Sequence, residues 1–335
     1  MIPGTRLGCL GRAMSHNIPS SRSDTPDPTT PYYARRLNGT FVQATRKHSG
    51  DSERMTASNA KSHAEESILP LDDGEIHVCQ DGPLDAPALL LIHGTAASAR
   101  SWEPMLPLLT ESHRVIRIDL LGCGQSARPD GASYAVPDQA HRAGAALDRL
   151  GVEHTIVVGH SSGGAAATAL AEQRPDLVTA LVLINTGPDM AAYLGEGAAI
   201  DPAHWTNLTD EQLRQAAGSA FAPGYEIPQP FLDQVRDMDL RVFAATSQAV
   251  RAYLDERSLP DRLTTLAKPL LVIFGEEDRR WRSSSAAEYR AVPGAKVELM
   301  PGAGHSPNLE DPPRTAAPLL AFTASHGQAR RQAPH

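Results

Sequence analysis

The chain has 335 residues, 41% of them hydrophobic and 21% charged, with a formal net charge of −8; it can bury the core of one large domain with an insertion, or of two ordinary domains. The acidic balance, with no basic stripe interleaved with aromatics, argues against a nucleic-acid binder, and the longest apolar runs, such as Val178 to Ile184, fall far short of a membrane span. Three widely spaced cysteines, Cys9, Cys79 and Cys123, suggest neither a disulfide framework nor a cysteine-based zinc site, so a reducing, cytoplasmic setting is the expectation.

Residues 1–65 are rich in Ser, Thr, Pro, Arg and Asn and lack helical or strand periodicity, the composition of a disordered leader. Pro, Gly and Arg interrupt Met1 to Leu10, which is no secretory signal. An internal start at Met14 or Met55 accounts for the leader more simply than a transit peptide does. Order is expected from about residue 66. Ile68 to Leu71 and Glu75 to Gln80, joined at Asp72-Asp-Gly74, read as a hairpin. Ala88 to Ile92 is a continuous apolar strand, followed by His93-Gly-Thr-Ala96. A helix is predicted from about Ser98 to Leu109 with Trp102, Met105 and Leu108 on one side. Then come a strand from Arg114 to Asp119, the loop Leu120 to Ser126, a helix from Asp138 to Leu150, and strands at Thr155 to Val158 and Thr179 to Ile184.

Between residues 188 and 267 no buried strand is apparent, and helix-like pieces span Asp210 to Ala217, Phe231 to Met238 and Arg241 to Leu254. Strands resume at Pro269 to Gly275 and Lys296 to Met300, with helices expected at Ala286 to Ala291 and Arg314 to Ala324. Alternating strands and helices mean an α/β fold, a mostly parallel sheet covered on both faces. The core is then 66–187 and 268–325, with 188–267 a helical lid inserted between two strands and 326–335 a fraying tail.

One turn organises the rest. Ile156-Val-Val158 is strand-like and Ala165 to Glu172 is helix-forming, so the chain must reverse at Gly159-His-Ser-Ser-Gly163. That is the G-x-S-x-G pattern of a nucleophile elbow, which holds a serine in a strained turn at a helix N-terminus. Ser161 is the candidate nucleophile. Chemistry in a parallel sheet gathers beyond the strand carboxyl ends. The other ends deliver His93-Gly94-Thr95-Ala96, Asp119, Glu276-Glu277-Asp278 and Gly302-Ala-Gly-His305. The glycines after Asp119 suggest a structural position, His160 reads as a packing residue beneath the elbow, and Cys123 as an incidental thiol. The remaining histidines scatter without ligand spacing, so neither a metal nor a cofactor is expected.

These stretches together resemble the α/β-hydrolase fold superfamily: the HGTA stretch at His93, a D-x-x-G-x-G-x-S loop from Asp119 to Ser126, the GHSSGG elbow, GEED ending at Asp278 and GAGHSPNLEDP around His305. The resemblance covers about Ile68 to Ala324. It implies a Ser161, Asp278, His305 triad in the family's chain order, with Asp278 favoured over its neighbour Glu277. It also implies an oxyanion hole from the backbone N–H groups of Thr95 and Ser162, with His93 buttressing that loop. A serine at the elbow disfavours the branches that carry a carboxylate or cysteine there. The implied activity is hydrolysis of a small, fairly apolar carboxylic ester, thioester or lactone. A cofactor-free haloperoxidase or perhydrolase, and a small-ligand receptor binding in the lid cleft with vestigial hydrolysis, are the other members it allows. The lid aromatics Trp205, Phe221, Tyr225, Phe231, Phe243 and Tyr253, with Met238, are expected more as lid core than as ligand contacts.

Overall fold

Continuous apolar runs become the centre of a sheet because helices cover both of its faces. The computed structural model describes residues 64–195 and 208–327. The leader up to residue 63, with Met14 and Met55, as well as Trp205 and the end of the tail, lie outside the described residues. Eight strands form one sheet: β1 (Ala64–Leu71), β2 (Gly74–Asp81), β3 (Ala88–Ile92), β4 (Arg114–Ile118), β5 (Thr155–His160), β6 (Val178–Ile184), β7 (Leu270–Gly275) and β8 (Lys296–Met300). Their spatial order is β1-β2-β4-β3-β5-β6-β7-β8. β2 runs antiparallel to β1 and β4, and every other neighbouring pair is parallel.

The pleat divides the apolar residues between two layers. Leu90, Ile92, Ile116, Val157, Leu181, Leu183, Val272 and Phe274 face one layer, which includes the apolar sides of α2 (Val136–Arg149) and α3 (Ser162–Gln173). Leu89, Leu91, Val115, Val158, Val182, Ile184, Leu271 and Ile273 face the other, packed with Trp102, Met105, Leu109, Leu319 and Phe322. The segment predicted as a helix from Ser98 to Leu109 is instead a 3-10 helix, Ala99–Met105, running into a single α-turn, α1 (Leu106–Leu109). Pro104 and Pro107 lack the N–H groups that a regular α-helix would need there. Leu109 is fully buried, while Leu108 only packs against the cluster. Ser283–Ala291 is likewise 3-10 rather than α.

Between β6 and β7 stand α4 (Asp210–Ala217), α5 (Gln229–Arg236), α6 (Leu240–Glu256) and α7 (Leu259–Leu266). The sequence reading had no counterpart for α7, whose Ser258 side chain accepts the Asp261 N–H and whose Pro260 sits in the first turn. Leu213, Ala217, Phe221, Ile227, Leu232 and Val235 give this segment a core of its own. Its ties to the sheet domain include one at each end. Glu172 on α3 accepts from Tyr253 Oη at 2.8 Å and from Arg262 Nη1 at 3.1 Å. At the other end, Tyr225 Oη donates at 2.9 Å to the carbonyl of Leu309 within α8 (Pro307–Glu310), which precedes the final α9 (Pro312–Gly327). No helix among the described residues is long and apolar enough to cross a membrane.

Candidate active site

The turn from β5 into α3 is tight because glycines permit backbone contact. A Cβ on Gly159 would lie 2.5 Å from the Gly163 carbonyl oxygen, and one on Gly164 would strike Thr186 Oγ1. Ser161 at its apex has φ 53° and ψ −122°, a conformation that costs free energy for any residue but glycine. Its N–H donates to the Ile184 carbonyl at 2.9 Å, and its carbonyl accepts from Thr186 Oγ1 at 3.0 Å. These bonds hold the strain, and the side chain is left facing His305.

Ser161 Oγ lies 2.9 Å from His305 Nε2, and His305 Nδ1 lies 2.9 Å from Asp278 Oδ2. The three positions come from the ends of β5, β7 and β8, 144 residues apart at the extremes. Asp278 is buried while Glu276 and Glu277 are exposed. Burial by itself would raise the Asp278 carboxyl. Electrostatic attraction to the His305 ring and hydrogen bonds from His305, Asn185 and the Arg280 N–H outweigh it and hold the group below its ordinary value. An ionised carboxylate only accepts, so Nδ1 carries the imidazole proton and Nε2 offers its lone pair to the serine hydroxyl.

Sequence reasoning missed the residues that hold this arrangement. Asn185, fully buried at φ 45° directly after β6, donates through Nδ2 to Asp278 Oδ2 at 2.8 Å and to the Gly304 carbonyl at 3.0 Å, and accepts from Gly275 N at 3.1 Å. The available signal was a lone asparagine closing an otherwise apolar strand, where Asn tolerates the left-handed region. Asp278 Oδ1 accepts the N–H groups of Arg280 at 2.7 Å and Trp281 at 3.1 Å. Glu310 pins the loop bearing His305: its oxygens accept from Gly304 N at 2.8 Å, Ser306 N at 2.9 Å and Ala222 N at 3.0 Å.

Two buried histidines, His160 and His93, flank this arrangement. His160 donates through Nε2 to the His305 carbonyl at 2.8 Å and meets Trp102 edge-on. Burial, reinforced by the neighbouring His305 ring, pushes its pKa down to about 3. His93 donates from Nδ1 to the Gly94 carbonyl and accepts Leu120 N at Nε2, and burial lowers its pKa. It therefore braces the loop that carries Thr95. Thr95 Oγ1 donates to Ser162 Oγ at 2.8 Å, which brings that loop against the first residue of α3. First-turn helix N–H groups have no intrahelical acceptor, and Ser162 is the first residue of α3. Asp119 accepts from Ala99 N at 2.6 Å, Gln125 N at 2.9 Å and His77 Nδ1 at 2.8 Å, a structural set of partners.

Beside Thr95 opens a cavity of about 230 Å³ whose lining includes Ala96, Cys123, Met238, Val242 and Phe243. Arg100, Arg128, Asp237 and Asp239 also reach it, so its surface is mixed rather than purely apolar. Of the aromatics between β6 and β7, Phe221 stacks on Tyr225 and meets Phe231 edge-on, and Tyr253 is buried against Arg262. Phe243 lines the cavity. The Cys123 thiol is pushed up to about 12 by burial, which leaves it protonated at neutral pH.

The model of the alpha/beta hydrolase family matches residues 89–317. Among curated relatives, RutD of Stutzerimonas stutzeri (strain A1501), named as a carbamate hydrolase, is 30% identical over 68% of this chain and 88% of its own. Carboxylesterase YbfK of Bacillus subtilis (strain 168) is 25% identical over 74% of this chain and 84% of its own. Among solved structures, a bacterial membrane phospholipase A is 28% identical, with a TM-score of 0.66 over 79% of this chain and 87% of that one.

Proposed function

The chain belongs to the alpha/beta hydrolase family, and from that premise we propose that it is a serine hydrolase cleaving small carboxylic esters, thioesters or lactones through an acyl-enzyme on Ser161. The observation that carries this reading is the 2.9 Å approach of Ser161 Oγ to His305 Nε2, with Nδ1 of the same ring on Asp278. A serine hydroxyl is a weak nucleophile unless a base takes its proton as it attacks. His305 Nε2 takes that proton while Oγ bonds to the carbonyl carbon, and the imidazolium is stabilised by the Asp278 carboxylate. The carbonyl oxygen becomes an oxyanion facing the Thr95 and Ser162 N–H groups, each worth about 3 kcal/mol of transition-state stabilisation. His305 then gives its proton to the departing alkoxide or thiolate. Water, deprotonated by the same imidazole, attacks the acyl-enzyme, and collapse releases the acid and frees Ser161.

In this reading the helices from Asp210 to Leu266 form the lid, and the cavity beside Thr95 takes the acyl or alcohol portion. Relatives named as a carbamate hydrolase and a carboxylesterase support attack on an activated carbonyl as the shared chemistry. The test is Ser161→Ala. Hydrolysis of short p-nitrophenyl esters falls to the uncatalysed background while the circular-dichroism spectrum and melting temperature stay near wild type. Unchanged turnover would remove Ser161 from the reaction. A panel of ester, thioester and lactone substrates then ranks the bond types.

A further inference from the structure

Away from the serine, three side chains of metal-ligating type converge at the β1 edge of the sheet. The antiparallel register of β1 and β2 sets Glu66 opposite Cys79 and Ile68 opposite His77. His77 and Cys79 are two residues apart, so they project from the same face of β2. His77 Nε2, Cys79 Sγ and a Glu66 carboxylate oxygen all lie within 4.8 Å of one another, with Nε2 3.8 Å from Sγ and 3.8 Å from Glu66 Oε2. The nitrogen–oxygen separation is too long for a hydrogen bond. It suits two ligands of one tetrahedral ion: bonds of about 2.0–2.3 Å place neighbouring donors about 3.3–3.8 Å apart.

The far side of the imidazole is prepared in the way that metal-binding histidines usually are. His77 Nδ1 lies 2.8 Å from Asp119 Oδ2, a hydrogen bond that fixes the ring and directs Nε2 toward Cys79 and Glu66. Asp119 is itself held by the Ala99 and Gln125 N–H groups. Gln125 Nε2 sits 3.3 Å from His77 Nε2, and the same amide turned over presents its oxygen as a fourth donor. His77 and Cys79 are buried, whereas the Glu66 side chain is 66% exposed and gives an ion its way in.

We propose that Glu66, His77 and Cys79 bind a zinc ion, with water or the Gln125 amide oxygen in the fourth position. A thiolate, an imidazole and a carboxylate form a donor set suited to Zn²⁺ rather than to Mg²⁺ or Ca²⁺. Binding releases to solvent the thiol proton and the proton that His77 Nε2 carries in the ion-free chain, and the two anionic ligands neutralise the ion. β4 and β3 separate these strands from β5, so the ion clamps the edge strand and takes no part in chemistry at Ser161. The short His77-x-Cys79 spacing and a Glu thirteen positions upstream of Cys79 give no recognisable sequence signature; the strand register brings them together.

The test uses the tag-free full chain, stripped with chelator and titrated with Co²⁺ as a spectroscopic stand-in. One equivalent is expected to produce a thiolate-to-Co²⁺ charge-transfer absorption that Zn²⁺ then displaces. Cys79→Ser abolishes the band and Cys123→Ser retains it. Glu66→Gln, a change at an exposed side chain that leaves folding intact, weakens binding about tenfold or more. Absence of the band in the wild-type chain, its survival in Cys79→Ser, or unaltered affinity in Glu66→Gln would overturn the site.

Discussion

Asn185→Asp separates the polar support of the proposed triad from simple packing, because it changes one donor into an acceptor at nearly constant volume. In the wild-type chain Asn185 Nδ2 is 2.8 Å from Asp278 Oδ2. Two ionised carboxylates at that distance repel by about 6 kcal/mol at an effective dielectric near 20. The pair avoids this by keeping a proton, which raises the new carboxyl by about four units, from about 4 to about 8. While protonated, its O–H can replace the amide donor to Asp278, and the main loss is the bond to the Gly304 carbonyl, about 1–3 kcal/mol. A carboxyl whose folded-state pKa is raised keeps its contribution below the unfolded value and loses it as pH rises through the folded one. The stability gap between variant and wild type should therefore be about 1–3 kcal/mol near pH 4 and should widen by a further ~5 kcal/mol by pH 8–9. Urea unfolding midpoints of both proteins across that range measure it. A gap that is constant with pH, or absent, would refute the contact with Asp278.

Asp278→Asn leaves the site's shape but lets the imidazole adopt the wrong tautomer; ester turnover should fall by up to about 10⁴-fold with folding retained, measured by steady-state kinetics. Gly164→Ala drives a Cβ into Thr186, whose hydroxyl supports the Ser161 carbonyl. A loss of about 1–3 kcal/mol in thermal unfolding and a tenfold or greater loss of turnover should follow. Cys123, its thiol held protonated by burial, should react with iodoacetamide at pH 8 more than about 100-fold more slowly in the folded chain than in urea, as read by mass spectrometry.

What the sequence made legible depended on how local the cause was. β3, β5, β6 and β7 stand out as uninterrupted apolar runs because both of their faces are covered, and the elbow stands out because its glycines must be consecutive with the strand and helix they join. The 3-10 geometry of Ala99–Met105 was missed because apolar spacing does not separate 3-10 from α, and here the prolines decide it. The burial of Asp278 and exposure of Glu277 were suggested only by spacing from Gly275; the Asn185 amide and the Arg280 and Trp281 N–H groups that hold Asp278 come from separate stretches of chain. Glu310 stood in the GAGHSPNLEDP stretch with no role assigned to it, yet three backbone amides converge on it. The same is true of β1, where the pairing of Glu66 with Cys79 exists only once the hairpin register is known.

The most direct test of the serine hydrolase account is covalent labelling of the purified chain with a fluorophosphonate, followed by tryptic mapping. The account predicts one adduct, on the peptide carrying Ser161, and none in His305→Ala, where no base remains to activate the hydroxyl. An adduct on another residue, or a wild-type chain that takes up no label, would contradict it.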